Sequence, residues 1–248
     1  MENYSEFAIC AIASPLEKNY LDEWVSYHKK IGVQHFFICT NDWTWNECKD
    51  PDVTTARLDG KSKQCGWYTW FVQNMAKYVG WCAFIDIDEF IKLGSKHKTV
   101  LDIVNDNPLV DCICLNWKLF GSSGKHFDGD YNVLSRFTRC QKGFNIHVKS
   151  ILNLQKLKSF RDDKRIFFRN PHFATSSSIA GLHQYSVSKR EIFGAYDKNA
   201  NFTLTNDDAW LAHFFCKTPE EWKLKQERGR ADVAEGSSLM YRKDEEFA

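Results

Sequence analysis

The sequence predicts an α/β fold built on a mostly parallel central sheet. Over residues 1–118, short apolar runs typical of buried strands alternate with segments whose apolar residues recur at helical spacing. Beyond Trp117 the pattern loosens into the glycine- and serine-rich segment 121–124 and several short strand-like runs, which indicates an α+β second half. At 248 residues, 43% of them hydrophobic, the chain suits one large core. We expect a single domain over 1–232 and a polar tail over 233–248.

The first elements form a β-α-β unit. Residues 7–13 are apolar, and Ser14, Pro15 and Glu17 then supply a helix N-cap, a proline at the first helical position and a capping-box acid. Gly32 ends the helix before a strand-like run over 33–39. The sequence therefore predicts strand, helix and strand in that order.

Similar reasoning gives the remaining elements. Strands are expected at 53–58, 81–86, 110–117, 147–154 and 166–168, and helices at 64–78 and 99–105. A final helix is predicted over 219–228, with Thr218 as N-cap and Glu221 completing the capping box.

Charge and cysteine content limit the partners and the compartment. The 33 basic and 32 acidic residues give a formal net charge of +1, which does not favour nucleic-acid binding. No signal-peptide pattern and no apolar run of membrane-spanning length occurs, and several of the nine cysteines lie in apolar runs. We expect a soluble, reduced, cytoplasmic protein. The basic segment 156–169 reads first as a solvated face; the alternative is contact with an anionic acceptor or, peripherally, with the inner face of a membrane.

An apolar run over 81–85 ends in three carboxylates, those of Asp86, Asp88 and Glu89. Alternation along a strand places Asp86 and Asp88 on one face, at the sheet edge where ligands of open α/β sheets bind. Two carboxylates there suit Mg²⁺ or Mn²⁺, whose remaining ligands are commonly water and phosphate oxygens. The pattern indicates a diphosphate-bearing substrate, although D-x-D triplets also occur as solvated turns.

Three blocks resemble glycosyltransferase family 92. They read Y-L-D-E-W-V-S-Y-H at 20–28, F-I-D-I-D-E-F at 84–90, and H-F-F-C-K-T-P-E-E-W at 213–222 followed by Lys225, Arg228 and Asp232. Segments 117–124, 149–151 and 171–173 are also similar to family segments, so the likeness runs over about 7–232. The chain departs from the family where Ala212 replaces an asparagine before His213, and where 15–17 keeps only the glutamate of K-N-E.

The resemblance implies a GT-A fold, with a nucleotide-binding part over about 1–118 and an acceptor part over about 119–232. It also implies a nucleotide-sugar donor, UDP-galactose first, and a bound Mn²⁺ or Mg²⁺. Transfer would invert the anomeric carbon and reach a glycan, polysaccharide or lipid-linked glycan acceptor.

Residue roles follow from the same resemblance. Asp86, Asp88 and His213 are candidate metal ligands, with Asp86 alternatively near the ribose and its water shell. Candidates for the nucleotide and its phosphates are Gln64, Lys217, Arg228 and Arg230, with Lys149, His172 and His183 as weaker candidates for phosphate or acceptor contacts.

Inversion needs a base, for which Asp208, Asp207, Asp130 and Glu89 are candidates. Glu89 could instead hold the acidic loop through hydrogen bonds to backbone N–H groups. Asp207 or Asp208 could equally act only as a cap.

Two other readings remain open. One is a D-x-D phosphatase, which Glu89 and the late position of the motif disfavour, and the other is an inactive sugar-binding module on the same fold. Trp24, Trp81 and Trp117 are expected in the core, whereas Trp43, Trp45 and Trp67 are freer to stack on sugars.

Overall fold

The computed structural model describes residues 4–40, 48–60, 63–157, 166–177, 182–187, 191–192 and 209–228. Its strands are β1 Ser5–Ala13, β2 His35–Thr40, β3 Val53–Arg57, β4 Val79–Phe84, β5 Glu89–Lys92, β6 Cys112–Leu119, β7 Val148–Asn153, β8 Ile166–Asn170, β9 Phe173–Ser176, β10 Gln184–Ser186, β11 Glu191–Ile192 and β12 Trp210–His213. Its helices are α1 Leu21–Lys30, α2 Gln64–Met75, α3 Val100–Asn105, α4 Val133–Arg136 and α5 Pro219–Arg228. The predicted α/β class is confirmed.

The first half of the sheet is parallel, in the order β3-β2-β1-β4. α1 connects β1 to β2, and α2 connects β3 to β4, as expected for crossovers between parallel strands. All six residues of β4 are buried, because both faces of the sheet are covered by apolar clusters.

The second half of the sheet mixes directions and joins the first half without a break. β7 runs antiparallel to both β4 and β6, and β10 runs parallel to β6. Beyond its pairing with β7, β6 continues into a parallel pairing with β12, which in turn pairs antiparallel with β5. Strand β12 therefore brings His213 opposite Glu89, the first residue of β5.

Capping chemistry sets the element starts as predicted. Ser14 and Glu17 form a capping box, although the first turns, Pro15–Tyr20, are 3₁₀ before α1 begins. Gly32 has a φ of +96°, a value that glycine adopts readily, and it turns the chain from α1 toward β2. Helix α2 ends at Met75, three residues before its predicted end.

The structure agrees with the predicted positions of some tryptophans and disagrees with that of Trp67. Trp24 and Trp81 are core residues, and Trp117 is half-buried against the core. Trp67, expected to be free, is only 6% exposed, because α2 turns it into the core beside Phe71 while the exposed Trp70 stacks on its ring.

Parts of the earlier predictions fall outside the described residues, namely Trp43, Trp45 and the tail over 233–248. In the portion of the chain that the structure describes, no helix has both the length and the apolar character needed to cross a membrane.

Candidate active site

The acidic motif lies in a turn between β4 and β5 rather than on a strand. Strand β4 ends at Phe84, so the strand alternation that would place Asp86 and Asp88 on one face stops before it reaches them. That prediction is wrong, and the two carboxylates take different partners. Asp86 is half-buried and Asp88 is only 5% exposed.

Asp86 is held through both of its carboxylate oxygens. Gln64 Nε2, from the first turn of α2, donates to Oδ1 at 2.5 Å. Lys149 Nζ, from β7, donates to Oδ2 at 2.8 Å. Because two different elements, α2 and β7, fix the same side chain, its orientation is set before any ligand arrives.

Glu89 lies beneath the turn and has no exposed surface. Its Oε2 accepts a hydrogen bond from the Asp86 backbone N–H at 2.8 Å and lies 3.8 Å from Lys149 Nζ. Burial raises the pKa of Glu89, with Lys149 opposing that effect. The structure thus shows the loop-holding hydrogen bond anticipated for Glu89, and its full burial leaves no route by which an acceptor hydroxyl reaches it.

The residues that contact Asp88 lie in the C-terminal segment. Lys225 Nζ, on α5, lies 2.6 Å from Oδ2, and His213 Nε2, at the end of β12, lies 3.5 Å from Oδ1. The Asp88 carbonyl also accepts the Phe214 N–H at 2.9 Å. Burial alone would raise the pKa of Asp88, but the charge of Lys225 and the nearby His213 outweigh it and hold that pKa well below its usual range.

His213 is buried between aromatic side chains. Its ring centroid lies 4.3 Å from that of Trp117 and 5.3 Å from that of Phe215. Burial lowers the pKa of His213, which favours the neutral ring that can act as a ligand. Nδ1 is buried and finds no hydrogen-bond partner among the described residues.

Lys217 has the most unusual environment among the candidate phosphate-binding residues. It is a non-glycine residue with a φ of +57°, it is 6% exposed, and its ammonium lies 4.6 Å from the centre of the Tyr20 ring. Burial lowers its pKa, and Asp88 opposes that effect. Within the described residues it has no hydrogen-bonded or salt-bridged anion, and unfavourable backbone geometry of this kind concentrates at functional sites.

Arg228 lies apart from the acids and joins α5 to the N-terminal 3₁₀ turns. Its Nη1 contacts Ser14 Oγ at 2.7 Å and Glu17 Oε1 at 2.6 Å. A phosphate contact from Arg228 would have to compete with this ion pair. Arg230, Asp207 and Asp208 lie outside the described residues.

The weaker candidates differ in their distance from the site. His172 is buried against Trp117, the ring that also contacts His213, and burial lowers its pKa, with the charge of Lys149 adding to the effect. The His183 backbone N–H donates to Asp111, just before β6. Asp130 lies in an exposed loop and accepts the N–H of Asn132.

Lys225 is the site residue that the sequence analysis did not select. It was part of the motif but received no role. Trp222, three residues earlier on α5, is buried, and residues three apart share a helix face. That spacing could have shown that Lys225 points inward.

The predicted metal trio is only partly assembled. Asp88 Oδ1 and His213 Nε2 are 3.5 Å apart, close to the separation of about 3 Å between adjacent ligands of an octahedral ion. Asp86 does not join them, because Gln64 and Lys149 occupy both of its oxygens. Over the described ranges, no group of three or more His, Cys, Asp or Glu side chains is placed to hold a metal. Two protein ligands still fit Mg²⁺ or Mn²⁺, which complete their shells with water and phosphate.

Comparisons with known proteins find distant structural similarity only. No protein-family model matches it, and no curated protein does either. Among solved structures, 4-diphosphocytidyl-2C-methyl-D-erythritol synthase from Anaerococcus prevotii is similar over 64% of this chain and 74% of that one, at 6% identity and a TM-score of 0.32.

Two further structures are similar at the same level. The bifunctional IspDF from Campylobacter jejuni shares 14% identity over 64% of this chain and 43% of its own, with a TM-score of 0.35. The galactosyltransferase LgtC, solved with donor and acceptor sugar analogues, shares 14% identity over 62% and 59%, with a TM-score of 0.31. This chain thus spans less than two thirds of either. Likenesses this distant do not bear on what the protein does.

Proposed function

We propose that this protein is a metal-dependent, inverting glycosyltransferase on a GT-A-like fold. It would move a hexose, galactose first, from a UDP-linked donor to a glycan, polysaccharide or glycolipid acceptor. The observation that carries the proposal is the convergence on Asp88 of His213, Lys217 and Lys225, which all come from the C-terminal segment. A buried carboxylate surrounded by an imidazole and two ammonium groups suits a metal-bound diphosphate.

The lysines address the main chemical difficulty of the reaction. Negative charge grows on the diphosphate as the sugar leaves, and fixed positive groups in a site with little water stabilise that charge. Lys217 is buried without an anionic hydrogen-bond partner among the described residues, whereas Lys225 is paired with Asp88. A diphosphate beside Asp88 would give Lys217 an anionic partner and Lys225 a second one.

Asp88 and His213 are the residues that would hold Mn²⁺ or Mg²⁺. When bound, such an ion neutralises phosphoryl oxygens as a Lewis acid. Asp86 would remain directed by Gln64 and Lys149, which supports its alternative role beside the ribose and its water shell.

The base is assigned outside the described residues. Inversion requires a group that accepts the acceptor's hydroxyl proton on the face opposite the diphosphate. Glu89 is fully buried, and Asp130 lies in an exposed loop where it accepts the Asn132 N–H, so we assign the base to Asp208 first and Asp207 second.

Acceptor contact at a membrane is a separate part of the proposal. Of the basic segment 156–169, the structure describes 156–157 and 166–169. Lys156 and Arg169 are both exposed, and Lys156 is already paired with Asp111 at 2.8 Å. The described part therefore offers two exposed basic side chains to an anionic surface, one of them in an ion pair.

Calorimetric binding of nucleotide diphosphates and nucleotide sugars tests the proposal. The titrations would use Mn²⁺ or EDTA with the wild type, Asp88→Asn and the matched control Asp22→Asn, whose residue is exposed on α1. We expect Mn²⁺-dependent UDP binding that Asp88→Asn loses and Asp22→Asn keeps. Absence of metal-dependent nucleotide binding in the wild type would contradict the proposal and favour the alternatives, a D-x-D phosphatase or an inactive sugar-binding module.

A further inference from the structure

Lys225 and a divalent cation would compete for the same carboxylate. Its ammonium lies 2.6 Å from Asp88 Oδ2, donates to the Phe215 carbonyl at 3.0 Å and lies 4.5 Å from the centre of the Phe215 ring. The other Asp88 oxygen, Oδ1, faces His213 Nε2. A metal ion held by that oxygen and that nitrogen would share the carboxylate with a fixed positive charge a few ångströms away.

We propose that Lys225 is an internal counter-ion that occupies Asp88 until a metal and a diphosphate arrive together. The inference rests on the proposed function and deepens it. In the empty site, the ammonium neutralises Asp88 and opposes entry of a bare divalent cation. When a metal–diphosphate complex binds, the phosphate oxygens supply the negative charge that Lys225 then contacts.

The charges around Asp88 support this exchange. Lys217 is a second positive group acting on Asp88, so metal alone would enter a site that already holds two ammonium groups. Repulsion between like charges is strong where little water screens them, and both Asp88 and Lys217 are buried. A diphosphate reverses the balance because it carries negative charge to all three cations.

The position of Lys225 also allows it to move. Its side chain is 16% exposed, compared with 7% for Asp88, so Lys225 is the less buried partner of the pair. Its other partners are a backbone carbonyl and a ring face, and neither is a charged group that would hold it in place.

Metal and nucleotide should therefore bind cooperatively, and by linkage each should strengthen the other to the same degree. Neutralising Lys225 should remove the obstacle to the metal and also a contact to the diphosphate. The expected signature is a gain in affinity for bare Mn²⁺ together with a loss of UDP affinity, which mere damage to the site does not produce.

The test measures free Mn²⁺ by electron paramagnetic resonance in titrations with and without UDP. The variants are Lys225→Met, Lys225→Gln and Lys225→Arg, with Lys223→Met as control, since Lys223 is exposed on the same helix. We expect the two neutral variants to bind Mn²⁺ alone roughly tenfold more tightly than the wild type. Lys225→Arg and Lys223→Met should match the wild type, and Asp88→Asn in the Lys225→Met background should remove the gain.

The outcomes separate the two proposals. Suppose that the wild type binds UDP in a Mn²⁺-dependent way but the neutral variants have unchanged Mn²⁺ affinity. The proposed role of Lys225 is then wrong, and the proposed transferase function is unaffected. If the wild type does not bind UDP but the neutral variants bind Mn²⁺ more tightly, the proposed transferase function is refuted and the role of Lys225 as counter-ion of Asp88 is retained. Should the neutral variants not fold, the wild type decides: if it binds UDP, equal Mn²⁺ affinity with and without UDP overturns the proposal, and a large UDP-dependent increase supports it.

Discussion

Lys149 and Glu89 lie 3.8 Å apart beneath the acidic turn, and neither side chain has any exposed surface. The lysine reaches past Glu89 to Asp86, so a single ammonium compensates one buried and one half-buried carboxylate. The two acids in turn outweigh the effect of burial and raise the pKa of Lys149. The turn that carries the candidate site therefore depends on one cation.

Replacing Lys149 should destabilise the whole fold. Lys149→Met would leave Glu89 buried without its cation, and breaking a buried pair from one side costs about 3 kcal/mol. Urea unfolding measures the loss. Lys142→Met, at an exposed position, is the control and should change stability by less than about 0.5 kcal/mol. Adding Glu89→Gln to Lys149→Met should recover part of the loss, and a double variant no more stable than the single one would contradict this account.

His28 should make the protein acid-sensitive. Burial lowers its pKa from 6.5 to about 3, and the positive charge of Lys92 adds to the effect. The neutral ring fits between its neighbours: Nδ1–H donates to the Trp24 carbonyl at 2.8 Å, and Nε2 accepts the Ile91 N–H at 3.2 Å. Protonation would remove that acceptor.

The direction follows from linkage. Since the unfolded chain binds a proton at higher pH than the folded protein, the stability due to neutral His28 is fully present above about pH 6.5 and is lost progressively toward about pH 3. At pH 5 the loss is about 2 kcal/mol. Urea unfolding gives the free energy of unfolding at pH 7.5 and at pH 5. The drop between these two pH values should be about 2 kcal/mol smaller in His28→Gln than in the wild type. Equal differences in wild type and His28→Gln would refute the role of His28.

The cap of α5 should couple helix stability to the site. Thr218 Oγ1 accepts the Glu221 N–H at 3.3 Å, and Glu221 Oε2 accepts the Thr218 N–H at 3.0 Å. Thr218→Val keeps the volume and removes the hydroxyl, which should cost about 1 kcal/mol. Because Lys225 is on this helix, UDP affinity should fall as well.

Two measurements check the cap prediction. Thermal unfolding reports stability, and calorimetry with UDP and Mn²⁺ reports binding. Thr138→Val, an exposed threonine outside the helices, is the matched control. Unaltered stability in Thr218→Val would show that the capping box contributes nothing.

Gln64 should act on nucleotide binding through Asp86. Gln64→Leu removes the donor at 2.5 Å and frees one Asp86 oxygen, so we expect UDP affinity to drop about tenfold. Gln64→Glu should lower it further, since a second carboxylate would then face Asp86. Gln226→Leu, exposed on α5, is the control for the same calorimetric titrations. If both Gln64 variants bind UDP as tightly as the wild type, the hydrogen bond between Gln64 and Asp86 does not contribute to UDP binding.

The elements with local signals were predictable from sequence. The capping boxes at Ser14 and Thr218 mark the element starts in the structure, and the alternating pattern gave the parallel strands β1 to β4. The turn after Phe84 could not be predicted, because the apolar run continues through Ile85 and Ile87 and both side chains are buried, as they would be on a strand.

The partners of the acids depend on tertiary pairing. Asp86 meets Lys149 because β7 runs antiparallel to β4, and Asp88 meets Lys225 because β12 enters between β5 and β6. Neither pairing leaves a local sequence signal. The resemblance placed Asp88 and His213 together, but it gave no reason for Asp86 to turn away toward Gln64.

The pairing of Asp88 with Lys225 spans 137 residues. Closing so long a loop has an entropic cost that only packing of the intervening chain can offset. The parallel strands β1 to β4 can form before β12 and α5 are synthesised, but a site that needs His213 and Lys225 cannot. During synthesis, Asp88 would thus first lack His213 and Lys225, and the competent site would form only when the C-terminal segment docks.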